Sequence, residues 1–238
     1  MSSFNNQTDF SNLLSDIEAN NLLQHLTNHI QGNAPASLIF KRDEHLSEWK
    51  KEWQRLSSMK IYDNAQQALD QNERAATDWL MKLFNVLFDD QKVLLARSAG
   101  EPEYFPHQHN KPARIEFAHG FFASALHEIS HWCIAGKARR ALSDFGYWYA
   151  PDGRSADQQQ AFERVEIKPQ ALECLFTLAC GQEFQVSQDN LFAEFDTKGS
   201  TFTSDVYLQA KEYITKPHTL PRDAKILLYT LLMVCASD

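Results

Sequence analysis

The residues best able to do chemistry are His127, Glu128 and His131, an H-E-x-x-H sequence. They lie in a run from Gly120 to Ala135 that reads as one helix. Residues four apart on a helix return to nearly the same face, roughly 6 Å along the axis. Both imidazoles can therefore reach one metal ion, and Glu128 can hydrogen-bond a metal-bound water. The plainer reading is a pair of solvated surface histidines. Phe121, Phe122, Leu126, Ile129, Trp132 and Ile134 argue against it, because they make the run mostly buried. Buried polar groups need partners, and a metal supplies them. His25 and His29 have the same spacing without the acid and with polar flanks, so they read as solvent-facing. His107 and His109 fall in a Pro/Asn/Gln-rich loop and read as exposed.

Two histidines do not complete a site; a third protein ligand with positions left open marks a catalytic metal. The next helix offers Glu163 and Glu166, three apart on one face. Glu166 is preferred, because a break expected at Pro169 can re-aim its side chain. Glu163, Asp144 and Asp157 stay open as alternatives. Two histidines and a carboxylate suit a hydrolytic zinc ion and also the facial triad of non-haem iron oxygenases. Ligand types alone do not separate them.

The elements that must position these residues follow from pattern. Residues 1–72 are polar and helix-favouring, with Leu46, Trp49, Trp53 and Leu56 at helical spacing, and read as a helical N-terminal extension of open role, packing on a main domain of residues 73–238 or on a partner. Thr77 or Asp78 can cap a helix whose buried stripe is Leu80, Leu83, Phe84, Leu87 and Phe88. Lys92 to Ser98 and Arg114 to Ala118 read as strands, and Gly100 to Pro106 as a loop. Gly136 ends the metal helix. Lys137, Arg139 and Arg140 follow it, either complementing the helix dipole or forming a docking patch. Phe145 to Tyr149 reads as an aromatic strand, and Ser155 as the cap of a helix that Pro169 interrupts.

The chain has 238 residues and is 43% hydrophobic, enough for a substantial core. A net charge of −8 argues against general nucleic-acid binding. Cys133, Cys174, Cys180 and Cys235 show no C-x-x-C spacing and read as free thiols of a reducing compartment. Met1 to Gln7 lacks a signal-peptide pattern, and the apolar stretch Ile226 to Ala236 is too short to span a bilayer. A cytoplasmic protein without membrane contact is expected.

Several motifs in order then carry a resemblance: Phe117 to Phe121, His127 to Arg140, Asp144 to Tyr149, Pro151 to Arg154 and Val165 to Leu172. From Thr77 to about Asn190 the chain resembles the elongation factor P hydroxylase family, the EpmC type. The resemblance implies an oxygen-dependent metal hydroxylase acting on the β-lysylated lysine of elongation factor P. Carried over by position, the ligands are His127, His131 and Glu166. It also implies an α+β fold, a small sheet packed by helices, like the YbeY-type or zincin-like metal-dependent folds. No H-x-D motif of the 2-oxoglutarate dioxygenases is visible.

The expectation is one divalent ion, iron or alternatively zinc, with molecular oxygen as co-substrate. Glu128 would orient a bound species or shuttle protons. Tyr147, Tyr149 and Arg154, with Lys137, Arg139 and Arg140, are the candidates for binding substrate. Two alternatives stand beside this reading. One is a zinc hydrolase, peptidase or nuclease, with Glu128 as general base. The other is a structural metal module for protein–protein interaction, closed by a fourth ligand for which His119 is nearest.

Overall fold

The computed structural model describes residues 8–33, 36–58, 65–146, 153–188 and 200–236. Among them are seven α-helices: α1 (Asp16–Asn33), α2 (Ala36–Ser57), α3 (Ala65–Leu87), α4 (Phe122–Arg139), α5 (Ala156–Ala179), α6 (Phe202–Thr215) and α7 (Arg222–Cys235). Between α3 and α4 lie three strands, β1 (Val93–Arg97), β2 (Glu103–Phe105) and β3 (Ala113–Phe117). Their order is β1-β3-β2, with β1 parallel and β2 antiparallel to β3. The expected α+β class holds, with helices dominating.

The stripe of α3 behaves as its spacing predicts: Leu80, Leu83, Phe84, Leu87 and Phe88 are all buried. The helix starts earlier than expected, however, at Ala65. Thr77 is interior to it, and its hydroxyl donates to the Glu73 carbonyl one turn back at 2.8 Å. A threonine satisfied in this way no longer acts as a cap. Asn85, also on α3, pairs with both backbone groups of Leu95 in β1, accepting from N at 2.7 Å and donating to O at 3.2 Å. That double bond fixes the sheet against the helix.

Residue 72 falls inside α3. Trp49 and Trp53 of α2 are buried in the same core as the rest of the chain. The Trp53 ring lies 4.6 Å from that of Trp79 and 5.9 Å from that of Phe122, at the start of α4. Each buried indole contributes about 2–3 kcal/mol by area. Helix α7 is buried along nearly its whole length and packs on α1, α2, α4 and α5.

Three local expectations need correction. The loop before Pro106 contains β2, a strand too short to leave a periodic trace. Ser143–Gly146 is a 3₁₀ turn and not the start of a strand: Asp144 and Phe145 have φ of 47° and 57°, outside extended space. The turn is held because the Asp144 carboxylate accepts from the Tyr104 amide at 3.0 Å, while Phe145 stacks on Tyr104 at 4.1 Å. Helix α5 runs through Pro169 without interruption. All four cysteines are buried and unbridged. Among the described residues, no helix is long and apolar enough to cross a membrane.

Candidate metal centre

Helices α4 and α5 face each other, and the site lies between them. Helix α4 is mostly apolar and buries Phe122, Ala125, Leu126, Ile129 and Trp132. Trp132 is gripped edge-on by Phe84 and Phe88, with ring centroids 5.4 and 5.1 Å away. This packing fixes the helix rotation, so the four-residue spacing turns His127 and His131 together toward α5. Their Nε2 atoms are 3.0 Å apart. Glu166 of α5 meets them: Oε1 is 3.3 Å from His131 Nε2, and Oε2 is 3.7 Å from His127 Nε2.

These three residues can each offer one ligand atom, all within 4.8 Å of one another. Atoms sharing an ion at about 2.1 Å stand ~3.0–3.4 Å apart along the edges of an octahedron or tetrahedron; the 3.0 and 3.3 Å separations fall in that range and the 3.7 Å one lies just outside it. The decisive atom is Glu166 Oε2. It is buried and has no hydrogen-bond partner among the described residues. A carboxylate oxygen in that state costs stability unless something positive reaches it.

The electrostatics agree. Burial works against a charged His127, yet the adjacent Glu173 carboxylate, helped by Glu166 and Glu128, more than offsets this and lifts its pKa to about 10. Burial likewise pushes the Glu166 carboxyl up, but His131 and His127 overcome it and hold it at about 2. Burial raises Glu128 against the pull of both histidines. Three carboxylates around two imidazoles make a place that favours positive charge.

Glu163 is turned elsewhere. Gln159 Nε2 donates to its Oε1 at 3.2 Å and Ser200 Oγ to its Oε2 at 2.7 Å. Asp144 is committed to Tyr104, and Asp157 is an exposed residue in the first turn of α5. His119 is exposed, with its ring 6.1 Å from that of Phe121, and is not in the cluster. His25, His29, His107 and His109 are all exposed, as their flanks predict.

The basic candidates divide. Lys137 is exposed. Arg139 donates to the Phe145 carbonyl at 3.1 Å. Arg140 turns inward: it lies 3.5 Å over the Trp132 ring, donates to the Trp132 carbonyl at 2.9 Å, and pairs with Asp223 of α7 at 2.7 Å. Arg154 is buried, stacked 3.9 Å over Phe162 and bonded to Gln159 at 3.0 Å, so it braces the start of α5. Tyr147 and Tyr149 lie outside the described residues. Sequence reasoning missed Glu173, whose Oε2 is 2.8 Å from His127 Nδ1. The available signal was its place two helical turns after Glu166.

Comparison with known proteins supplies the family. The model of the family described as elongation factor P hydroxylase (EpmC) matches residues 83–235. A Haemophilus influenzae protein named elongation factor P lysine hydroxylase is 45% identical over 163 residues, covering 67% of this chain and 89% of that protein. Both histidines and Glu166 fall inside the family match. On the length of that match and the closeness of the relative, the chain belongs to the elongation factor P hydroxylase family.

Proposed function

We propose that the chain hydroxylates the β-lysylated lysine of elongation factor P in the cytoplasm, with a divalent iron ion held by His127, His131 and Glu166. The observation that carries this is the buried Glu166 Oε2, without a hydrogen-bond partner among the described residues, beside two facing imidazoles in a member of this family. When bound, the iron supplies the redox chemistry by which one atom of molecular oxygen enters a C–H bond and the other leaves as water, with two electrons and two protons from an external reductant. The chain's own residues do the rest. His127 and His131 present Nε2, and Glu166 adds the negative charge. The apolar face of α4 keeps bulk water from the buried side. Glu128, half-buried next to His127, is placed to hold or pass a proton at its carboxylate. The acidic surroundings suit a cationic lysyl group, and Lys137 offers a docking contact for an acidic protein partner. In this reading the scaffold is a YbeY-like metal fold turned to oxidative use.

The test is metal analysis of anaerobically purified protein, followed by oxygen, reductant and modified elongation factor P, read by mass spectrometry. Iron should be present, and the substrate should gain one oxygen atom. His127→Ala, His131→Ala and Glu166→Ala should each lose both iron and product, while Glu163→Ala keeps them. Zinc at the site with no oxygen gain would favour the hydrolase, with Glu128 as general base.

A further inference from the structure

Glu173 stands outside the three-residue ligand set, yet it touches the site. Its Oε2 lies 2.8 Å from His127 Nδ1, and its side chain is 12% exposed. The opposite nitrogen of the same ring, Nε2, faces His131 Nε2 at 3.0 Å and Glu166 Oε2 at 3.7 Å. A carboxylate can only accept, so Nδ1 carries a hydrogen, and once a metal displaces the second ring proton the Nε2 lone pair faces the site. Glu166 and Glu173 are seven residues apart, nearly two full turns, and share one face of α5. One helix thus contributes both a ligand and the buttress of a ligand on the facing helix.

We infer that Glu173 is a positioning residue: it fixes the tautomer and ring orientation of His127 so that Nε2 is the metal-binding atom. This rests on the proposed metal site. Carboxylates behind ligating histidines orient the ring and raise its basicity, and their removal typically costs 10–100-fold in metal affinity. Glu173→Ala removes both charge and acceptor. Glu173→Gln keeps an acceptor oxygen at the same reach and so preserves the tautomer.

The experiment measures zinc affinity of the full chain by competition with a chromophoric chelator, and reads the His127 ring nitrogens by ¹⁵N NMR. Glu173→Ala should bind zinc about 10–100-fold more weakly, and its His127 Nδ1 signal should lose the pattern of a fixed N–H. Glu173→Gln should fall closer to wild type in both readouts, which also controls for a folding defect in the alanine variant. Wild-type affinity in Glu173→Ala would overturn the inference. So would an equal loss in both variants, which would assign the effect to charge alone. If His131→Ala and Glu166→Ala bind zinc as wild type does, the metal site itself is wrong. If they lose zinc and Glu173→Ala does not, only the role of Glu173 is wrong.

Discussion

Helices α4 and α5 supply the same site but are fastened by opposite means. Helix α5 carries its own start: Ser155 accepts from the Gln158 amide at 3.4 Å, and the Gln158 side chain accepts from the Ser155 amide at 3.0 Å. Arg154 and Gln159 complete a brace within five residues. Helix α4 has no side-chain cap of its own. Its first amide, on Phe122, donates instead to Glu73 of α3 at 2.6 Å, 49 residues away. At its far end Arg140 is tied to Asp223, in the first turn of α7. One helix is held by its neighbours in sequence, the other by remote parts of the chain. The start of the histidine helix therefore depends on tertiary structure that the start of the carboxylate helix does not need.

The contrast can be broken at several points, beginning with the largest effect. Asp223→Ala strands the Arg140 guanidinium in a nearly buried place, and should cost about 3–5 kcal/mol in denaturant unfolding. Loss of under 1 kcal/mol would show that the remote tie is not what anchors α4. Gly136→Ala acts on the same end. Gly136 has φ 65° and ψ 175°, a region open to glycine, and a Cβ there meets nothing within 4 Å. The cost is then backbone strain alone, about 1–3 kcal/mol by thermal unfolding.

Glu73→Ala should cost about 1 kcal/mol. It should also speed hydrogen exchange at Phe122 and weaken zinc binding. Ser155→Ala should cost about the same or less and loosen only the first turn of α5. Equal effects of these two on zinc affinity would erase the distinction between the helices. Smallest is Lys137→Glu, which should leave stability and metal unchanged while raising KM for elongation factor P a few-fold, more so at low salt. An unchanged KM would remove Lys137 from docking.

The same contrast explains what could be read in advance. His127 and His131 were legible as a pair because four-residue helical spacing alone puts them on one face; the preference for Glu166 over Glu163 rests on a break at Pro169 that α5 does not show, and on its position in the family resemblance. Glu73 was not legible, since a cap borrowed across 49 residues leaves no local pattern. Glu173 was hidden among the other acids of α5, distinguishable only once α4 lies opposite. Arg140 read as a helix-dipole or docking cation, and Arg154 as a substrate-binding candidate. Each turned inward because an aromatic face, Trp132 or Phe162, and a hydrogen-bonding partner waited there. The aromatic run from Phe145 suggested extended backbone; its first residues lie in a left-handed turn at Asp144 and Phe145, and 147–149 lie outside the described residues. Strand β2 is three residues long, below the length at which alternation can be recognised.

Helix α7 gives these ties an order in time. It is the last helix along the chain, and α1, α2, α4 and α5 all pack on it. During synthesis the H-E-x-x-H segment emerges more than eighty residues before Asp223 does. Until then Arg140 has no buried acid to pair with, and four helices lack the surface they share. The histidine segment is translated early, but the helix that carries it gains its full packing surface only when α7 docks on it.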